Sequence, residues 1–166
     1  MKLKHFFLLV AAFTMTFNMS LLAQNQTDQN LAKGYIFAWT AVMLAHGQTT
    51  KEGLGKFTTL ATVNEITKKF YSDGWFSKNF EDGLKIFKVK GEGTEGLIKN
   101  AATLLATFNK LPQKERVEFM ITLLMMANYD RNVSKEEADV IEKIANAINI
   151  SRDDLLMAWM LWAQRI

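Results

Sequence analysis

The chain has 166 residues, which suits one domain, and its 49% hydrophobic and 22% charged residues are typical of a folded protein. It contains no cysteine, which excludes disulfide bonds, thiol catalysis and zinc sites built on thiolates. The formal net charge of +3 falls to +1 once Lys2 and Lys4 of the N-terminal segment are set aside, so charge gives no support for nucleic-acid binding.

The N-terminal segment, residues 1–23, has the pattern of a secretory signal peptide. Lysines open it, an apolar run covers residues 6–17, and Ala23 offers a small residue at the cleavage point. The run is shorter than the roughly 20 residues of a membrane-spanning helix, so we expect cleavage and no stable membrane anchor afterwards. The protein is therefore predicted to be exported, either periplasmic or secreted, with an uncleaved anchor as the alternative.

The mature chain is predicted to open with a flexible polar stretch over residues 24–32. The first helix is expected over residues 33–45, where apolar residues cover nearly every side, as in a central buried helix. Thr49 and Glu52 form a capping-box pattern, which predicts a second helix that runs to about Phe70.

Residues 71–96 contain five of the nine glycines, together with several aromatic residues. We predict a connector here with one short helix near residues 78–88, although the alternation over residues 86–89 would also suit a short strand. Because loops carry function more often than cores do, Trp75 and Phe76 are candidate binding residues, with simple packing of the loop as the alternative.

The sequence after Gly96 contains no glycine and predicts four more helices, because apolar residues recur there at helical spacing. The whole pattern predicts an all-α fold, a single compact bundle of about six to seven helices over residues 33–166. The four C-terminal helices are expected over residues 95–108, 112–128 and 135–148 and after Ser151.

The last helix is unusually rich in large apolar residues, including Trp159 and Trp162 together with Met157 and Met160. Packing of this helix on the core explains such residues most simply. A docking stripe or a lipid-facing patch is the alternative interpretation.

The most specific pattern in the chain follows the predicted helix over residues 112–128. It combines an apolar helix that ends in alanine, a DG-x-[IV]-[ST]-x-x-E turn with Arg131 in place of the glycine, and an I-x-x-[IL]-A helix. The residues that fit it are Ala127, Asp130, Val133, Ser134, Glu137, Ile141, Ile144, Ala145, Ile150 and Ser151. This combination resembles the helix–turn–helix of the tellurite-resistance TerB-like family.

A second copy of this pattern lies 84 residues earlier in the chain. The residues from His46 to Glu52 correspond to those from Asp130 to Glu136. The domain of the TerB-like family is a two-fold helical repeat, so we expect a weak two-fold repeat of helical hairpins here. The positions that coincide are Lys51, Glu52 and Ala61 with Lys135, Glu136 and Ala145.

The resemblance implies an all-helical fold with an acidic face around the two turns, a link to tellurite resistance or envelope stress, and divalent-metal binding. The oxygen-bearing side chains of the second turn suit a hard cation such as calcium. The candidate metal ligands are Asp130, Asn132, Glu136 and Glu137.

Two other interpretations of the turns remain open. Ser134 and Glu137 fit a capping box, which needs no ligand. Alternatively, the acidic face binds a protein partner, with His46 and Glu52 as candidate binding residues in the first turn, although His46 also suits a helix cap.

No catalytic residue is predicted. Outside the signal peptide the chain has one histidine and no thiol, and it has no Walker loop, dinucleotide-binding turn or nucleophile elbow. We therefore expect an exported, non-enzymatic TerB-like domain that binds a divalent metal ion or a protein partner. The alternative is an immunity protein that neutralises a toxin; the sequence does not determine the oligomeric state.

Overall fold

The computed structural model describes residues 25–45, 49–88 and 93–164, and within these ranges the chain forms seven α-helices and no strand. The predicted all-α bundle is confirmed. None of these helices has both the length and the apolar character that a membrane crossing requires. The helices are α1 (25–43), α2 (Lys51–Val63), α3 (Trp75–Lys88), α4 (Gly93–Leu105), α5 (Gln113–Ala127), α6 (Lys135–Ala147) and α7 (Arg152–Ala163), with short 3₁₀ helices over Thr67–Asp73, Ala106–Lys110 and Asn128–Asp130.

Helix α1 lies at the centre of the bundle, as its apolar pattern predicts. All residues over 31–44 except Lys33 are buried. Trp39 has no exposed surface, and its ring centroid lies 6.0 Å from that of Phe57 in α2. Burying a large apolar side chain contributes roughly 1.5–3 kcal/mol, so the buried side chains of this helix stabilise the core strongly.

The hairpins α1–α2 and α5–α6 repeat each other at an offset of 84 residues. Helix α1 ends at residue 43 and α5 at Ala127, while α2 and α6 each have 13 residues and begin at Lys51 and Lys135. The buried positions of α2 all recur in α6. They are Gly53, Phe57, Leu60 and Ala61, with the counterparts Glu137, Ile141, Ile144 and Ala145.

Helices α1 and α5 run side by side in the same direction. Tyr35 and Phe119, which are counterparts at the 84-residue offset, have ring centroids 4.9 Å apart. One turn further on, Trp39 Nε1 donates a hydrogen bond to Thr122 Oγ1 at 2.9 Å. Because the contacts advance together along both helices, the turns that follow α1 and α5 lie at the same end of the bundle.

Helix α1 begins earlier than the sequence predicts, because residues 25–32, expected to be flexible, are helical. An ion pair of 2.8 Å between Lys69 Nζ and Asp28 Oδ2 links this segment to the 3₁₀ helix that follows α2. The sequence does not indicate this first part of α1, because it is polar and the first buried apolar residue of the helix is Leu31. The predicted signal peptide over residues 1–23 lies outside the described residues.

The segment over residues 71–96 contains more helix than the sequence predicts. Helix α3 has 14 residues and continues through Lys88, so the alternative of a strand beginning at Ile86 is wrong. A Cβ on Gly83 would lie 3.4 Å from Thr40 Cγ2 of α1. This glycine permits close packing of two helices and does not mark a turn.

Candidate functional site

The turn between α5 and α6 is held by hydrogen bonds between its own residues. Ser134 Oγ accepts from the Glu137 amide at 3.2 Å, and Glu137 Oε2 accepts from both the amide and the hydroxyl of Ser134 at 2.9 Å. Glu137 is 1% exposed. The capping-box interpretation of these two residues is confirmed.

Arg131 has a left-handed backbone conformation, with φ 68° and ψ 19°. This is the position of glycine in the TerB-like motif, and glycine adopts the left-handed region without strain. For other residues the conformation costs roughly 1–2 kcal/mol. Beside it, Asp130 Oδ1 accepts a hydrogen bond from the Asn132 amide at 3.0 Å, which closes the turn.

The four predicted metal ligands do not form a donor cluster. Asp130, Asn132 and Glu136 are exposed, whereas Glu137 is buried and bonded to Ser134. Across the part of the chain that the structure describes, no three histidine, aspartate or glutamate side chains lie in positions that could hold a metal ion. A hard cation needs several oxygen ligands at once, so the geometry gives the calcium prediction no support.

The turn between α1 and α2 differs in its chemistry. The helix-capping residue is Thr50, whose Oγ1 accepts from the Gly53 amide at 3.0 Å, so the predicted capping box of Thr49 with Glu52 is wrong. Glu52 is exposed in the first turn of α2, and His46 lies outside the described residues. Because Gly53 has no side chain, this cap lacks the reciprocal bond that Glu137 makes in the other hairpin.

Trp75 and Phe76, the predicted binding residues at the start of α3, have different surroundings. Phe76 is 7% exposed, and its ring centroid lies 5.3 Å from that of Phe57. It therefore belongs to the core. Trp75 is half-buried, packs against Phe70 at 5.1 Å and lines a cleft between α1 and α3.

A groove of about 530 Å³ opens between α6 and α7. Helix α7 packs along α5 and only sparsely against α6. A side-chain hydrogen bond from Gln113 to Asp154 joins the starts of α5 and α7, and the turn before α7 contains Asn149 with φ 52°. Apolar residues of both helices and the turn line the groove; they include Ile141, Ala145, Ile150, Leu155 and Trp159.

Helix α7 continues the groove with an exposed apolar face. Leu156, Met157 and Met160 are 53%, 48% and 66% exposed. Leu156 borders both the groove and an adjoining depression of about 350 Å³, which is lined by the two methionines and Leu161. Single exposed apolar residues are common, but neighbouring exposed apolar residues beside a groove make this face a candidate interaction surface.

The edge of the groove is more acidic than basic. Asp139 and Glu142 line it from α6, and Arg152 lines it from α7. Asp153 adds a further carboxylate in the adjoining depression. Acidic groups at the edge of an apolar groove favour a partner that carries lysine or arginine.

The nearby Lys143 pairs mainly with α4, because its Nζ lies 2.7 Å from Glu95 Oε1, and it also has a weaker charge interaction with Asp139 at this edge. The hydrogen bond with Lys143 lowers the pKa of Glu95, and the same bond raises the pKa of Lys143. The pair is exposed to solvent, so its contribution to stability is small.

The phenol of Tyr35 is buried at the contact between α1 and α5. Burial raises the pKa of this phenol to about 12, and the charges of Glu115 and Glu118 add to the rise, against an opposing hydrogen bond with Asn64. The hydroxyl is protonated at neutral pH, as in any ordinary tyrosine, and the buried ring of Tyr35 belongs to the core.

The sequence does not predict the α6–α7 groove, and it offers exposure of α7 only as the alternative to packing on the core. Residues 155–163 are apolar without interruption, so periodicity does not show which side of α7 faces the core. The core prediction is right for Trp162, at 9% exposed, and wrong for Met157 and Met160. The signal in the sequence is that α7 is apolar on all sides, because such a helix has more apolar surface than one neighbouring helix can cover.

No family model, curated protein or solved structure matches the chain. The TerB-like resemblance therefore rests on the residues quoted above.

Proposed function

We propose that this chain is a non-enzymatic helical domain that binds a protein partner through the α6–α7 groove and the apolar face of α7. The observation that carries this proposal is the exposure of Leu156, Met157 and Met160 beside a groove with an apolar floor. Covering apolar surface is favourable by about 25 cal/mol per Å², so this face gains most when a partner covers it.

The occupant that fits best is an amphipathic helix with basic residues at its edges. A groove between two helices accepts a third helix through anchors spaced at i, i+3 and i+4. The carboxylates of Asp139 and Glu142 select lysine or arginine beside those anchors. The methionines supply flexible contact surface, and the modest size of the groove favours a transient complex.

The TerB-like kinship is part of this proposal, and with it a role of an exported domain in envelope stress or tellurite resistance. The 84-residue repeat of helical hairpins supports the kinship, because the family domain is a two-fold helical repeat. The immunity alternative would use the same groove with a toxin as the partner. A toxin gene beside this one would favour that version.

A titration with two designed peptides tests the proposal. One is an amphipathic helix of leucine and lysine, and the other carries glutamate in place of lysine. Fluorescence anisotropy should show saturable binding of the lysine peptide, with a Kd between about 1 µM and 1 mM and at least about tenfold tighter than for the glutamate peptide.

Two variants locate the binding. Leu156→Glu with Met160→Glu should weaken binding at least about tenfold, because both side chains contact the partner. The matched control is Val63→Glu on α2, since Val63 is 61% exposed and remote in sequence from the groove. Asp139→Lys with Glu142→Lys should reverse the preference between the peptides.

Two results would contradict the proposal. One is binding that the groove variants leave unchanged. The other is a concentration-dependent dimer in sedimentation experiments that Leu156→Glu with Met160→Glu abolishes, because a second copy of the chain would then be the occupant.

A further inference from the structure

A second cleft, of about 240 Å³, lies between the start of α1 and the start of α3. Its walls carry four carboxamides, two ammonium groups, one carboxylate and one indole. This surface is chemically unlike the α6–α7 groove, which is apolar at its floor. Its volume lies below the roughly 300–1,000 Å³ of pockets for drug-sized ligands, so it suits a small polar ligand or the end of a longer one.

The polar groups of this cleft are held in place by their neighbours. Asn79 is 5% exposed, and its Nδ2 donates to the Trp75 carbonyl oxygen at 2.8 Å. On the opposite wall, Gln26 Nε2 donates to Asn30 Oδ1 at 3.1 Å. The Lys33 ammonium lies 5.6 Å from the centre of the Phe37 ring. Such contacts reduce the entropy lost on binding.

The combination of carboxamides and an indole indicates a class of ligand. A carboxamide both donates and accepts hydrogen bonds, which matches hydroxyl groups that do the same. The indole of Trp75 offers an apolar surface beside them, which matches the C–H face of a sugar ring. A bare anion would leave the indole unused, and an apolar ligand would displace water from the free hydrogen-bonding groups of the carboxamides without replacing it.

The charged side chains of the cleft indicate the charge of the ligand. Lys33 and Lys78 line the cleft together with one carboxylate, that of Asp82, which also lies 3.8 Å from Lys85. Two ammonium groups against one shared carboxylate leave a positive balance, which favours an acidic ligand.

We propose that the α1–α3 cleft binds a saccharide that carries a carboxylate, with Trp75 beneath the sugar ring, the carboxamides on its hydroxyls and the two lysines on its acid group. The proposal does not depend on the α6–α7 groove. It gives Trp75 a specific role as a sugar-binding residue.

An NMR titration of the full chain tests this proposal with three probes: a galacturonic acid trisaccharide, the neutral galactose trisaccharide of the same linkage, and acetate. The acidic trisaccharide should shift amide signals of residues 26–33 and 75–82, with saturation at millimolar concentration. The neutral trisaccharide should bind at least about fivefold more weakly, since it lacks the charge-assisted hydrogen bonds to the lysines. Acetate should cause no saturable shift in these segments.

Variants on the cleft walls separate the two parts of the proposal without altering the core. Gln29→Ala with Asn30→Ala should weaken binding of both trisaccharides at least about tenfold, because these variants remove hydroxyl partners. Lys33→Gln with Lys78→Gln should remove the preference for the acidic trisaccharide. The matched control, Asn132→Ala, removes an exposed carboxamide at the α5–α6 turn and should change nothing.

The proposal is overturned if neither trisaccharide gives a saturable shift in these segments up to about 50 mM. It is also overturned if acetate reproduces the shifts, because the cleft would then bind a simple carboxylate. Binding that the wall variants leave unchanged would place the saccharide elsewhere.

Discussion

The α1–α2 and α5–α6 hairpins share their helix ends, capping positions and buried positions, but the chain leaves them differently. After α2, Asn64 Oδ1 accepts from the amides of Ile66 and Thr67, and the chain enters a 3₁₀ helix and then α3. After α6, Asn149 takes a left-handed conformation, and the chain enters α7 directly. Helix α7 packs along α5 and keeps an apolar face exposed.

This difference distinguishes the residues that form the core from the residues that form the candidate binding surfaces. The buried positions of α2 recur in α6 after 84 residues, as Leu60 and Ile144 show, so equivalent helices bury the same side. Leu156 and Met160 of the α6–α7 region and Trp75 of the α1–α3 cleft lie in segments that follow the hairpins. Each candidate binding surface thus combines one helix of the repeat, α6 or α1, with a segment that follows a hairpin.

The largest expected effect tests the equivalence of the two cores. Leu60→Ala and Ile144→Ala remove counterpart side chains that are 3% and 0% exposed. Each should lower the free energy of unfolding by about 2–5 kcal/mol, since each leaves a cavity in a packed core. Urea unfolding at neutral pH measures both. If one variant lost less than about 1 kcal/mol, the two hairpins would not share a core equally.

The second effect concerns the Tyr35–Phe119 contact, where counterpart residues meet. The pKa of Tyr35 is about 12 in the folded chain against 10.0 for an ordinary tyrosine. The contribution of the protonated phenol to stability is therefore complete below pH 10 and is lost as the pH rises through 12. The free energy of unfolding should fall by about 2–3 kcal/mol through this loss.

Tyr35→Phe makes the contact symmetric and removes this titration. Between pH 9 and pH 12, the free energy of unfolding of the unaltered chain should fall by about 2–3 kcal/mol more than that of the Tyr35→Phe variant. Urea unfolding across this pH range measures the difference. Parallel pH profiles of the two proteins would show that the Tyr35 phenol is not buried.

The third effect concerns the one capping residue that the hairpins do not share. Glu137→Ala removes the reciprocal bonds to Ser134 and should cost about 1–3 kcal/mol, because a buried polar group then loses its partner. Glu136→Ala, an exposed neighbour in the same turn, is the control and should change stability by less than about 0.5 kcal/mol. Equal losses in thermal unfolding would contradict the capping role.

The smallest effect is a gain in stability at Arg131. Arg131→Gly relieves a left-handed conformation and should raise the free energy of unfolding by about 0.5–1 kcal/mol, after the larger chain entropy of glycine is subtracted. Arg131→Ala keeps the strain and should give no gain. A loss of stability in the glycine variant would mean that the arginine side chain stabilises the turn.

The sequence predicts the elements of this fold well where local chemistry decides them. The Ser134–Glu137 box and the helix that follows it were readable because capping needs only four residues. Thr50 was missed because Thr49 beside it fits the same pattern, and tertiary context chooses between them. Gly83 lies within the short helix predicted near residues 78–88, and the structure shows that it allows α3 to approach α1 closely.

The candidate sites were harder to predict, because they depend on how helices diverge. The opening between α6 and α7 follows from the packing of α7 on α5, and no local pattern encodes that choice. Trp75 was predicted as a binding residue from its position in a glycine-rich segment, but the carboxamides opposite it come from α1, more than 40 residues away. Such long-range contacts require the fold itself.

Site-specific photo-crosslinking in cells that produce the protein can identify directly what covers the exposed face of α7. A photoreactive residue is placed in turn at Leu156, at Met160 and, as the control, at Val63, and mass spectrometry identifies the crosslinked segments. We expect crosslinks from α7 to an amphipathic helix with basic flanks in another protein, and none of these from Val63. Two results would contradict the proposed partner-binding role of α7. One is crosslinking of α7 to a second copy of this chain, and the other is crosslinking of all three positions to the same segments.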